Sequence, residues 1–80
     1  MKFRIDIRRK EGLSDPEGVT AQKSLHNLGY TEVISTHFGR TIYLEMSDGD
    51  TAAATAEVEA MCRQLLANPV IEDFEIEVVG

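Results

Sequence analysis

The residues of this 80-residue chain that could do chemistry are one thiol, two imidazoles and several groups of carboxylates. None stands in a pattern that a reaction requires. Cys62 shares a helical stripe with Ala54, Val58, Met61 and Leu65, where nothing electropositive would favour a thiolate, so it reads as a packing residue. Serines and threonines are scattered, without a neighbouring histidine and acid to activate them. His26 and His37 lie on different elements, with no cysteine or acid at ligand spacing, whereas zinc takes three or four protein ligands. His26 reads as a solvated side chain beside Leu25. Asp48-Gly49-Asp50 begins like a calcium loop, but Thr51-Ala52-Ala53-Ala54 supplies no ligands and no closing glutamate follows, so it reads as a turn and helix cap. Asp73, Glu75 and Glu77 alternate with Phe74, Ile76 and Val78 as the polar face of a strand, not as paired catalytic acids. Gly12, Gly18, Gly29, Gly39 and Gly49 are spaced as turns and caps, and no phosphate-binding glycine motif is present. The sequence thus predicts no catalytic site, cofactor or metal in this chain.

Charge narrows the partners. Residues 1–40 carry seven Lys/Arg against five Asp/Glu, while residues 41–80 carry Arg63 alone against nine acids, within a net −6. Phosphate neutralisation needs a basic face, so nucleic acid is not an expected partner. Phe3 and Tyr43 do not make the aromatic, basic platform of an RNA-recognition sheet. Arg8-Arg9-Lys10 is the one basic cluster. It lacks the glycine density of a phosphate cradle and reads as a solvated strand end, with an anionic ligand or acidic partner as the alternative. No apolar run reaches the roughly 20 residues that span a bilayer, and the first residues alternate rather than forming a signal sequence. With a single cysteine, a cytoplasmic location is the default expectation.

The elements follow from periodicity. Phe3, Ile5 and Ile7 alternate with Arg4, Asp6 and Arg8 in a half-buried strand. Ser14-Asp15-Pro16-Glu17 starts a helix, with Asp15 as N-cap, Pro16 in the first turn and Ser14 as the alternative cap. Gly18, Ala21, Leu25 and Leu28 share its apolar face and Gly29 stops it. Residues 32–38 and 41–46 read as two strands joined by a tight hairpin at Gly39-Arg40. An alanine-rich helix over residues 51–67 ends at Asn68-Pro69, and residues 73–78 form a last strand. The order β-α-β-β-α-β predicts one α+β domain over residues 1–80. It would be ferredoxin-like, a four-stranded antiparallel sheet with both helices on one face. Ile34, Phe38 and Tyr43 would leave the other sheet face without a full polar coat, and Val19 lies off the first helix's stripe, which together predict self-association.

Asp15-Pro16-Glu17-Gly18, Leu28-Gly29-Tyr30, Gly39-Arg40 and above all Leu65-Leu66-Ala67-Asn68-Pro69-Val70-Ile71-Glu72-Asp73 resemble the PurS family, the small subunit of phosphoribosylformylglycinamidine synthase. The resemblance spans the whole chain in order and spacing. Glu17 and Arg40 depart from it, since glutamine and lysine are the common family residues there. The resemblance implies a non-catalytic subunit of an ATP-dependent C–N ligase in purine biosynthesis, which converts formylglycinamide ribonucleotide to the amidine with glutamine and ATP. It implies a homodimer, or a tetramer made of two such dimers, that bridges a PurL synthetase and a PurQ glutaminase and supports ammonia transfer. Asp15, Pro16, Gly18, Gly39, Arg40, Asn68 and Pro69 are the expected subunit contacts. The alternative of a different class is an ACT-like dimeric regulatory domain, binding an amino acid near Gly12 after the first strand.

Overall fold

The computed structural model describes residues 1–80. Its elements are β1 (Lys2–Arg9), α1 (Pro16–Asn27), β2 (Gly39–Glu45), α2 (Thr51–Met61), a π-helical turn (Cys62–Leu66) and β3 (Glu72–Val78). The sheet has three strands in the order β2-β1-β3, all antiparallel. β1 is central because its alternation is the cleanest, and Phe3, Ile5 and Ile7 are fully or almost fully buried. Opposite Ile5 stand Ile42 and Ile76; opposite Ile7 stands Phe74 and opposite Phe3 stands Leu44. These apolar rows pack on Ala54, Val58 and Cys62 of the second helix and on Ala67 beyond it.

The other sheet face is charged, contrary to the sequence expectation of an apolar one. Arg4 pairs with Glu77 and Arg8 with Glu75, and the Thr41 hydroxyl donates to Asp6. In the observed register only Tyr43 puts an aromatic on this surface, because Ile34 and Phe38 are not in the sheet at all.

Further expectations are corrected in the arm and where it joins the sheet. The fourth strand, over residues 32–38, is absent, and α1 does not pack on the sheet. Instead α1 and the segment returning from it form an arm that leaves the sheet between Arg9 and Gly39, and the molecule measures 51 × 26 × 14 Å. No hairpin forms at Gly39-Arg40: Gly39 pairs with Arg8 at the start of β2, where the chain arrives from the arm. The returning segment lies against α1 through side chains rather than a ladder. Gln22 Nε2 donates to the Ile34 carbonyl at 2.9 Å, and His26 Nε2 lies 2.7 Å from the Val33 carbonyl. His26 is therefore half-buried, not solvated. A strand needs a neighbour, and within one chain this segment has none.

The π turn makes the last correction. The Ala67 N–H bonds to the Cys62 carbonyl, five residues back. Each residue of a π turn rotates less than in an α-helix, so Leu66 swings toward the core and Leu65 swings out to 83% exposure.

Candidate functional site

The arm and the corner where it joins the sheet carry most of the residues singled out in the sequence. Asp15 is buried at the N-terminus of α1. Its Oδ1 accepts the Gly18 N–H at 3.0 Å and its Oδ2 accepts the Phe38 N–H at 2.9 Å. One carboxylate thus caps the outgoing helix and also pins the end of the returning segment. Those donors, Phe38 first and then Gly18, hold Asp15 below the usual carboxylate range, with Arg9 and His37 adding favourable charge. Both nearby glycines are there for space. A Cβ on Gly18 would sit 2.1 Å from the Thr36 carbonyl oxygen, and one on Gly39 would sit 2.7 Å from that of Ile7.

Arg40 works on the other side of the corner. Its guanidinium holds both Glu72 carboxylate oxygens, at 2.6 and 3.1 Å, and donates to the Leu66 carbonyl at 2.8 Å. Glu72 also accepts the Asn68 N–H at 2.8 Å. Arg40, then Asn68, keep Glu72 below its ordinary pKa. Asn68 in turn accepts the Val70 N–H on its Oδ1 and those of Ile71 and Glu72 on its carbonyl. Pro16 and Pro69 are exposed at the edges of these two networks. A recess of about 220 Å³, lined by Arg9, Asp15, Glu17, Phe38, Arg40 and Glu72, lies between them.

Of the seven expected contacts, then, Asp15 and Gly18 are buried supports, Arg40 and Asn68 are locked into hydrogen bonds, and Pro16, Gly39 and Pro69 are exposed. Gln22, His26 and Glu72 shape the site although none was among the expected contacts. Glu72 carried a readable signal, since an acid one position before an alternating strand falls on the apolar-facing side, opposite Arg9. Gln22 and His26 carried none, because their partners are backbone carbonyls of an irregular segment. Chemically the corner is inert. Asp15 is saturated by backbone donors and Glu72 by Arg40 and Asn68, and neither stands beside a nucleophile. Burial pushes the Cys62 thiol up. No three His, Cys, Asp or Glu side chains gather as metal ligands.

What the arm offers is surface. Ile34 is 90% exposed and Leu28 73%, and Val19, Tyr30 and Phe38 are exposed beside them. The backbone N–H groups of Ile34, Ser35, Thr36 and His37 donate to nothing in the chain. Apolar side chains beside an unpaired backbone edge form a surface made for another polypeptide.

Comparison with known proteins decides the family. The profile of PurS, described as phosphoribosylformylglycinamidine (FGAM) synthase, matches residues 2–80. The chain belongs to the PurS family. A relative from Methanocaldococcus jannaschii, named phosphoribosylformylglycinamidine synthase subunit PurS, is 40% identical over 96% of this chain and 93% of its own length. The PurS subunit of Bacillus subtilis is 39% identical over 96% of this chain and 90% of its own. Among solved structures, a chain of PurLQS from Thermotoga maritima matches with a TM-score of 0.87 at 31% identity, covering 98% of this chain and 95% of that one. The crystal structure of the Methanocaldococcus jannaschii PurS matches with a TM-score of 0.84 at 39% identity, covering 95% and 92%. Such agreement extends the PurS likeness to the arm as well as to the sheet.

Proposed function

We infer that this chain is the non-catalytic PurS subunit of phosphoribosylformylglycinamidine synthase, in the purine-synthesis step that uses glutamine and ATP. It self-associates through the arm and joins a PurL synthetase to a PurQ glutaminase, so that ammonia passes between them. The observation that carries this reading is the arm: a surface with no chemistry of its own, an unpaired edge and a row of exposed apolar side chains.

Areas support it. A compact chain of 8.9 kDa exposes roughly 4,800 Å², whereas this one exposes 5792 Å². The excess, about 1,000 Å², is close to the roughly 800 Å² that each partner buries in a standard interface. In this reading residues 32–38 take up the role of the fourth strand only when a second copy supplies a neighbour. Holding two catalytic sites in register and keeping water from the path between them promotes transfer without any reacting group on the chain itself.

The test is turnover by the cognate synthetase and glutaminase with and without this chain. Glutamine-dependent amidine formation is expected to require it, while turnover with free ammonia depends on it much less. Full coupling of the two catalytic subunits without this chain would overturn the reading.

A further inference from the structure

The open edge of the arm does not stop where β2 begins. Met46 and Met1 exchange hydrogen bonds at the end of the β1–β2 ladder, which fixes the even residues of β2 as the ones that bond to β1. The backbone groups of Gly39, Thr41, Tyr43 and Glu45 therefore point outward. The same parity runs back into the arm. The Ile34 carbonyl accepts from Gln22, the Thr36 carbonyl lies over Gly18 and the Phe38 N–H donates to Asp15, so the even residues turn toward α1. Ser35 and His37 turn the other way, and their N–H groups donate to nothing. Val33 closes the row, since Tyr30 and His26 already take its N–H and its carbonyl. Ser35, His37, Gly39, Thr41, Tyr43 and Glu45 thus form one open edge across the boundary between arm and sheet.

Such an edge is complementary to itself. Two antiparallel copies related by a two-fold axis hydrogen-bond only where an open residue meets an open residue. All of them find partners in a single register: Ser35 opposite Glu45, His37 opposite Tyr43 and Gly39 opposite Thr41. A slip of two residues either carries Ser35 past the end of β2 or sets Glu45 against the occupied Val33. In the full register the even residues meet as Ile34–Met46, Thr36–Leu44 and Phe38–Ile42. The exposed Ile34 and Phe38 then join the partner's helix side, where Ile42, Leu44 and Met46 are only partly buried. A hairpin within the chain at Gly39-Arg40 would pair odd with even, Phe38 with Thr41, and would turn both side chains to the charged face. The pattern therefore favours a neighbour from another chain. Arg40 falls on the axis opposite its own image, but Glu72 already neutralises it in each copy.

We propose that two copies join edge to edge in this register, so that residues 34–38 of each become the outer strand of the other's sheet. This rests on the self-association read from the arm above and adds which residues meet. Area agrees with it. The excess exposure of about 1,000 Å² over a compact chain of the same mass covers the roughly 800 Å² that each partner in a standard interface buries.

The test is disulfide trapping. His37 and Tyr43 are exposed, so His37→Cys/Tyr43→Cys disturbs no packing, and the native Cys62 is buried and does not compete. The two positions lie roughly 20 Å apart along one extended chain, beyond the reach of a disulfide. Across the proposed edge they stand directly opposite, where hydrogen-bonded pairs are about 5.5 Å apart. On oxidation the variant is expected to run at twice the mass of the chain on a denaturing gel and to return to the single mass on reduction. Ser35→Cys/Tyr43→Cys, which matches the register two residues away, is expected to stay mostly uncrosslinked. Sedimentation of the wild type and of the reduced variants reports association itself. Wild-type association with no cross-link in the first pair, or equal cross-linking of both pairs, would overturn this register while the arm's self-association stands. A disulfide closed within one chain would mean a hairpin and would overturn it as well. If the wild type does not associate, the self-association reading falls and this register with it.

Discussion

At the scale of single residues, exposure separates two leucine-like positions that the sequence treats alike. Leu65 sits on the apolar spacing of the second helix, yet the π turn turns it outward, whereas Ile5 is fully buried between Ile42 and Ile76. Ile5→Ala is expected to cost about 2–5 kcal/mol by chemical denaturation, and Leu65→Ala to stay within about 0.5 kcal/mol of the wild type. A large loss for Leu65→Ala would mean the helix continues without the π turn. The two corner carboxylates give a pH signature. Asp15 and Glu72 titrate below their unfolded values, so the stability they supply is complete above the ordinary carboxylate range, about pH 4, and is lost as pH falls through the lowered values. Asp15→Asn and Glu72→Gln are therefore expected to fall short of the wild type most at neutral pH and to converge with it in acid. Thermal melts that keep a constant gap down to about pH 2 would show that neither carboxylate carries the acid dependence.

At the scale of elements, the strands that found partners within the chain were legible in the sequence and the one that did not was misread. Phe3-Ile5-Ile7 and Phe74-Ile76 declare their strands by alternation alone, and Asp15-Pro16 declares the start of α1. Residues 32–38 carry the same kind of apolar pattern, but pattern reports the wish to be covered, not the presence of a neighbour. The sequence could not say whether the neighbour belongs to the same chain. The corner was half legible: Asp15 as a cap was readable, its second bond to Phe38 was not, because that bond depends on the arm folding back. The unpaired edge yields a prediction. Amide exchange at Ile34 to His37 is expected to be fast in a monomeric variant such as Ile34→Asp and strongly slowed in the wild type at concentrations where it self-associates. Equal, fast exchange in both would mean that these groups gain no partners on assembly. Gly18→Ala, whose Cβ meets the Thr36 carbonyl, is expected to loosen the same segment while the sheet amides stay protected.

At the scale of the whole molecule, shape and stability are linked. A compact chain of this length has a radius of gyration near 12 Å, but this one has 16.2 Å, and only seven apolar residues form its buried core. Such a core leaves a small margin over the entropy of ordering 80 residues. The arm adds ordered residues to that cost while burying almost nothing within the chain, since Gly18 is the one buried residue of α1. A chain in that position draws its stability from association, and association obeys mass action. The Tm of the wild type is therefore expected to rise with protein concentration, by about 5–11 °C over a hundredfold range, because RT ln 100 is about 2.7 kcal/mol per dimer, or about 1.35 for each chain, and 1 kcal/mol moves the Tm of a small domain by about 4–8 °C. Ile34→Asp removes a side chain that touches little in the single chain, so it is not expected to cost stability by lost packing. It is expected instead to abolish the concentration dependence and leave one low Tm at every concentration. Scanning calorimetry across that range separates the cases. A wild-type Tm independent of concentration would show that the three-stranded body is self-sufficient and that the arm's exposed surface serves only other proteins.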